Sequence, residues 1–254
     1  MTFCFYSPFQ FYYYQRKSSR VIGERYRLIQ QIGRGSSGLV HLAYKNCTRY
    51  AIKEIPRSHK KQQNLEIGIL KELKPHKNII QFFEIIEESN SIFLVMEMVQ
   101  QGPVMDIVPY SFTKPYSNTQ CKHLFKQLID AIDHLHQQGI LHGDIKPENI
   151  LLTNNQTIKL IDFGNASHIS DKASHIGSPA FMAPELLKKV PHLPTSTDIW
   201  AAGVTLYCLA YGHLPFQQPN FIQLYQDILT KPSEGFDQPI ARKRPKQTDY
   251  NQTN

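Results

Sequence analysis

Two runs of residues carry the types and spacings that work on a phosphate group would need. Gly33-Arg34-Gly35-Ser36-Ser37-Gly38-Leu39-Val40 fits the pattern G-x-G-x-x-G-x-V between two strand candidates. Glycines at these places let bare backbone N–H groups approach a phosphate where a Cβ would clash. A dinucleotide fingerprint would need a helix next, and here a second strand follows. Ala51-Ile52-Lys53 then sets one lysine on a strand, fifteen residues after Gly38. With Glu66 on the following helix as its acidic partner, the Lys53 ammonium is expected over the α- and β-phosphates of a nucleotide. The second run is His142-Gly143-Asp144-Ile145-Lys146-Pro147-Glu148-Asn149, with a carboxylate, a cation and a carboxamide inside six residues. Eighteen residues beyond Asp144 comes Asp162-Phe163-Gly164, and twenty-three beyond Asp162 is Glu185 in Ala183-Pro184-Glu185. Asp198-Ile199-Trp200 opens a buried-looking helix.

The elements that must position these residues are readable from periodicity. Tyr26 to Ile29 and Leu39 to Tyr44 read as a hairpin around the glycine turn, and Arg49 to Ile55 as a third strand. Leu65, Ile69, Leu70 and Leu73 recur at helical spacing, which predicts an amphipathic helix over residues 62–73. Gly68 inside it costs about 1 kcal/mol relative to Ala, so this helix is expected to be loosely held. Ile79 to Glu87 and Ile92 to Val99 are two further strands, ended by Gln100-Gln101-Gly102-Pro103. Leu124, Leu128, Ile132 and Leu135 form a helical stripe that stops near Gly139. Ile150 to Leu152 and Ile158 to Ile161 are short strands, and helices are expected from Asp198 to Tyr211 and from Phe221 to Leu229.

Composition removes several classes. The chain has 254 residues, 41% hydrophobic and 19% charged, which suffices for a core and excludes wholesale disorder. Its longest mostly apolar stretch, Ile199 to Tyr211, is shorter than the roughly 20 residues that span a bilayer. The net charge of +7 comes mostly from the ends: residues 21–230 hold 20 Lys/Arg against 18 Asp/Glu. A near-neutral body argues against nucleic acid as a partner. Cys4, Cys47, Cys121 and Cys208 lie far apart with no CxxC pair, which suits reduced thiols in the cytoplasm or nucleus. Residues 1–23 read as a leader, with eight aromatics between Phe3 and Tyr14 followed by basic residues, and residues 230–254 as a basic polar tail.

The motifs taken together resemble the eukaryotic protein kinase family of the Ser/Thr kind, over residues 24–229. Lys146 within Asp144-Ile145-Lys146-Pro147-Glu148-Asn149 marks that kind, since tyrosine kinases carry a different run there. The resemblance implies an α+β, bilobal fold: a small β-rich N-lobe (24–99) with one main helix, and a mainly helical C-lobe (103–229). It implies transfer of the γ-phosphoryl group of ATP, with Mg²⁺, to a protein hydroxyl. Asp144 would orient the hydroxyl and accept its proton, and Lys146 would neutralise the transferred group. Asn149 and Asp162 would hold Mg²⁺. Gly33, Gly35, Gly38 and Lys53 would face the phosphates; Val40, Ala51 and Leu151 would sandwich adenine. Met96 would back that pocket, and Glu97, Met98 and Val99 would form the hinge. Leu70, His142 and Phe163 would stack into an apolar spine anchored by Asp198.

A narrower likeness is to the calcium/calmodulin-dependent protein kinase kinases. It is carried by Gln101 to Asp106, Gly177 to Glu185 and Trp200 to Cys208, and it implies another kinase's activation loop as substrate. The chain departs from the pattern in several places. The C-lobe lacks the family's last helices, and with them the arginine that pairs with Glu185, so Glu185 is expected without a partner. Gly143 replaces the arginine that binds a phosphate on the activation loop. Ser178 stands for the usual threonine, keeping a hydroxyl near Asp144 and Lys146, and Ser167, Ser170 and Ser174 are candidate phosphosites. There is no Arg/Pro-rich insert between Lys53 and Glu66, and Glu148 replaces a small residue. No calmodulin-binding segment is evident, because Ile240 to Asn254 has almost no apolar face. The alternative reading, resting on the shortened lobe, is a nucleotide-binding pseudokinase or scaffold without turnover.

Overall fold

Strand alternation sorts the first half of the chain into two faces. A computed structural model describes residues 20–34, 38–57, 60–171 and 177–231. The aromatic run before Arg20, Gly35, Ser36, Ser37, Ser174 and the tail beyond Lys231 lie outside the described residues. Strands β1 (Val21–Ile22), β2 (Tyr26–Arg34), β3 (Leu39–Lys45), β4 (Thr48–Pro56), β5 (Phe82–Glu87) and β6 (Ser91–Glu97) form one sheet in the order β1-β2-β3-β4-β6-β5. All its pairings are antiparallel. Successive side chains point to opposite faces of a strand. On β4, Ile52 therefore joins Tyr26, Leu28, Phe93 and Val95 in an outer cluster, while Lys53 and Ile55 are buried on the other side. The β4–β6 register sets Ala51 opposite Met96 and Lys53 opposite Leu94.

Helix α1 (Lys60–Glu72) begins two residues before the predicted span and ends one before it. The second half is mainly helical: α2 (Asn118–Gln137), α3 (Pro184–Lys188), α4 (Pro194–Tyr211) and α5 (Phe221–Thr230), with the short strand pairs β7 (Ile140–Leu141) with β10 (Ser167–His168) and β8 (Ile150–Leu152) with β9 (Ile158–Leu160). A capping box starts α2: Ser117 Oγ accepts from Gln120 N, and Gln120 Oε1 accepts from Ser117 N. Proline at the first turn opens α4, and Gly212 in a left-handed conformation closes it. The fold is thus α+β, with a β-rich lobe on a helical one, and one core cluster runs through both. Among the described residues no helix is long and apolar enough to cross a membrane.

Two features differ from the sequence reading. The leader reaches into the sheet, where Ile22 is fully buried and Arg20 forms ion pairs with Glu54 and Glu88. The stretch expected as one strand from Ile79 begins pairing in the sheet only at Phe82, because Ile79 bridges to Leu160 instead. That bridge fastens the lobes. Ile80 N donates to Leu160 O (3.0 Å), and the buried Asn78 donates to Gln127 Oε1 (2.9 Å) and Ile158 O (3.2 Å).

The same loop meets the end of α2 through two histidines. The rings of His76 and His134 stack with centroids 4.6 Å apart, and Asn78 N donates to His76 Nδ1. Burial lowers His76 below the usual 6.5; His134, Lys77 and Lys159 oppose its charge, and Asp130 favours it. The folded protein therefore resists a proton that the unfolded chain takes up near pH 6.5. The resulting contribution is complete above that pH and is lost as the pH falls below it. We expect the melting temperature to fall between pH 6.5 and 5.5, and His76→Gln to flatten that limb. Coincident slopes for the two proteins in a pH series of thermal melts would refute this role for His76.

Candidate active site

Lys53 is 4% exposed, on the cleft face of β4. Its Nζ donates to Glu66 Oε1 on α1 (2.6 Å) and to Asp162 Oδ1 (2.8 Å). Burial alone would lower this ammonium, but Glu66 and Asp162 together hold it above the ordinary lysine range. Burial would likewise raise Asp162, and Lys53 overrides it, so that its carboxyl lies below the usual range. Asp162 has left-handed backbone (φ 63°) and also accepts from Gly164 N. Sequence reasoning paired Lys53 with Glu66 alone; the second carboxylate comes from a distant turn that no local pattern announces.

The loop after β7 gathers the other polar residues. Asp144 Oδ2 accepts from Lys146 Nζ (2.8 Å) and Asn149 Nδ2 (3.1 Å), and its Oδ1 from Ser178 N (3.0 Å) and Ser178 Oγ (2.9 Å). Lys146 Nζ also donates to Ser178 Oγ (2.7 Å), and Asn149 Nδ2 to the Asp144 carbonyl (2.8 Å). Burial alone would raise Asp144, yet Lys146 and the Ser178 donors keep its carboxyl below the ordinary range. Glu148, beside them, has burial pushing it upward and one oxygen buried without a hydrogen-bond partner.

A third centre supports this loop from beneath. Asp198 of α4 is 1% exposed; it accepts from His142 N (2.9 Å), Gly143 N (3.0 Å) and His136 Nε2 (2.9 Å). Burial would raise it, and these donors, His136 first, carry it below the usual range instead. His142 meets Phe163 edge-on at 5.1 Å, and Leu70 belongs to the same buried cluster. His136 had no sequence signal beyond its place at the end of α2.

One cavity of about 1060 Å³ opens between the lobes. Gly33, Val40, Ala51, Lys53, Glu66, Met96, Glu97, Met98, Val99, Lys146, Asn149, Leu151 and Asp162 all line it. Asp144 lines a small neighbouring cavity of about 50 Å³ behind the loop. Gly38 lines neither. A Cβ there would lie 2.1 Å from the Glu54 carbonyl oxygen, so its close approach is to β4 rather than to the cleft. Gly35 is outside the described residues. The expectation of an unpartnered Glu185 is corrected: its Oε1 accepts from Ser196 Oγ at 2.7 Å and it is only half-buried, so no bare charge is sealed in. No cation pairs with it among the described residues.

The arrangement is a lobed α+β fold with paired polar centres across a cleft. A family profile described as "Protein kinase domain" matches residues 26–253. Similar proteins include CBL-interacting protein kinase 15 of Oryza sativa subsp. japonica, 35% identical over 226 residues, covering 82% of this chain and 51% of the relative. The probable serine/threonine-protein kinase MARK-A of Dictyostelium discoideum is 37% identical over 216 residues, covering 80% of this chain and 20% of the relative. The calcium/calmodulin-dependent protein kinase kinase cmkC of Emericella nidulans is 33% identical over 264 residues, with coverages of 82% and 50%. The chain belongs to the eukaryotic Ser/Thr protein kinase family. It spans about half the length of most of the relatives it matches.

Gly143 has φ +75°, and a Cβ on it would lie 2.5 Å from the Asn165 carbonyl oxygen. Restoring an arginine would strain the loop before its guanidinium could serve any phosphate. We expect Gly143→Arg to lower unfolding stability by about 1–3 kcal/mol, read from urea denaturation. An unchanged midpoint would mean that the loop accepts a side chain.

Proposed function

We propose that this protein is an ATP-dependent Ser/Thr kinase that transfers the γ-phosphoryl group to a protein hydroxyl. The observation that carries the reading is one continuous cleft with a buried Lys53 ammonium on one wall and Lys146, beside Asp144, on the other. Val40, Ala51 and Leu151 give adenine apolar surfaces, with Met96 behind and residues 97–99 offering backbone to its edge. Lys53, fixed by Glu66 and Asp162, is the cation for the α- and β-phosphates. Lys146 meets charge on the transferred group, and Asp144 orients the attacking hydroxyl and takes its proton.

The donor set also fits Mg²⁺. Asn149 spends its amide hydrogens on Asp144, which leaves its carboxamide oxygen as the available ligand atom, and Asp162 lines the same cavity. Two hard oxygen donors suit an ion that completes its shell with water and phosphate oxygens. When bound, Mg²⁺ would neutralise phosphate charge. With glycine at position 143, control through an arginine-bound phosphate on the activation segment is not part of this reading. The likeness to calcium/calmodulin-dependent protein kinase kinases, one of which is among the relatives, supports another kinase's activation loop as the substrate.

Intact mass after incubation with MgATP and a mixed Ser/Thr peptide pool tests the reading. Phosphate should appear with the wild type, and Asp144→Asn should lower the rate by roughly 10²-fold or more. Asp162→Ala should abolish it. Equal incorporation by all three, or none by folded wild type, would overturn it.

A further inference from the structure

Helix α4 is covered on every side but one. Ala201, Ala202, Val204, Cys208 and Leu209 are buried toward the core, and α2 packs against the helix. Phe216 and, from α5, Leu224 and Ile228 close its flank at Trp200. A helix that is apolar around most of its circumference is normally buried all round. Yet Ile199 is 51% exposed, and Gly203, Leu206 and Ala210 are only half-buried. These four stand at i, i+4, i+7 and i+11, so they form one open seam along the helix.

The seam has a shape of its own. A Cβ built on Gly203 would meet nothing within 4 Å. Glycine is disfavoured in a helix interior, and no close approach among the described residues requires it there. Along the seam large and small residues alternate: Ile199, Gly203, Leu206, Ala210. This order is complementary to itself when reversed. Laid antiparallel on a second copy, with a two-fold axis midway between Gly203 and Leu206, Ile199 meets Ala210 and Gly203 meets Leu206. Each large side chain then enters the space beside a small one. The spacing of four, three and four residues is that of helices crossing at about 20°.

The ends of the seam agree in charge. The next positions outward, Ser196 and His213, also face each other in that register. Ser196 Oγ donates to Glu185 Oε1 at 2.7 Å. The carboxylate that meets no cation among the described residues of its own chain therefore lies toward a base of the other copy. Antiparallel helices also set the positive end of one dipole beside the negative end of the other.

We infer that the face of α4 formed by Ile199, Gly203, Leu206 and Ala210 is a two-fold interface for a second copy of this chain. A two-fold contact must be complementary to itself, and the alternation of this seam meets that condition. One face of an 18-residue helix is smaller than the roughly 800 Å² per partner of a standard interface. The dimer is therefore expected to be weak, half formed at about 10–100 µM. The inference is independent of the kinase reading, since no residue of the cleft takes part.

Sedimentation equilibrium of the full chain, from about 1 to 500 µM, tests it. Ile199→Lys should weaken association at least about tenfold with an unchanged melting temperature, because that side chain is half in solvent. Gly203→Leu sets leucine against leucine and should weaken it by about the same factor. The double variant Gly203→Leu/Leu206→Ala again sets a large residue against a small one, and should return to within about threefold of the wild type. Loss of core packing at Leu206 would act in the opposite direction, so the rescue reports the register and not the fold. A wild type that stays monomeric at every concentration overturns the interface, whether residues 232–254 or another chain covers the face. A dimer indifferent to Ile199→Lys, or a double variant no tighter than Gly203→Leu, overturns it equally.

Discussion

A lysine ammonium nine-tenths or more removed from water sets the terms for the rest of the molecule. Lys53 can stay charged in the interior only because two carboxylates reach it, and removing one partner of such a pair typically costs about 3–5 kcal/mol. The three groups come from β4, from α1 and from the turn after β9. Each element is thereby fixed relative to the other two. The sheet delivers the lysine through strict alternation, which also aligns Ala51 and Met96 on the cleft side. Any looseness in α1 would therefore be felt as an exposed or unpaired charge, not merely as a lost apolar contact.

A second buried charge does for the lower lobe what Lys53 does between the lobes. Asp198 lies within α4, yet its three donors belong to α2 and the loop after β7. The backbone of His142 and Gly143 is held from below, while the His142 ring touches Phe163, beside Asp162. The two charge centres are thus linked through packed side chains, with Leu70 of α1 in the same core. Polar anchors fix the backbone and apolar packing transmits their positions.

Much of this was legible in the residues because it is local. Alternating β-branched and aromatic residues marked β3, β4 and β6, the Leu124 to Leu135 stripe marked α2, and the loop motifs stood at readable spacings. What was not legible depends on distant partners. Asp162 read as a metal ligand alone, since nothing near it in sequence shows that it also meets Lys53. The first turn of α4, Pro-Thr-Ser-Thr, has no apolar rhythm, so the helix looked four residues shorter than it is. Val21 and Ile22 seemed to belong to the leader because a two-residue edge strand is too short to alternate visibly. Glu185 looked stranded because a serine eleven residues on, presented by the next helix, is not an ionic partner and carries no motif. Gly38 fitted a phosphate loop by pattern, while the contact that demands it is the carbonyl of Glu54.

The crowd of donors around Asp144 has a consequence for timing. A carboxylate held below its ordinary range is a poorer base than a free one, and it cannot strip a serine hydroxyl before bond making begins. In the proposed transfer it would therefore act first as an aiming device, accepting a hydrogen bond while the proton stays on oxygen. The proton would cross only once the new P–O bond has made that oxygen acidic, which suits a loose transition state with little demand on the nucleophile. Ser178, whose hydroxyl donates to one oxygen of Asp144, marks where, in that proposed transfer, an incoming alcohol would have to share the lone pairs.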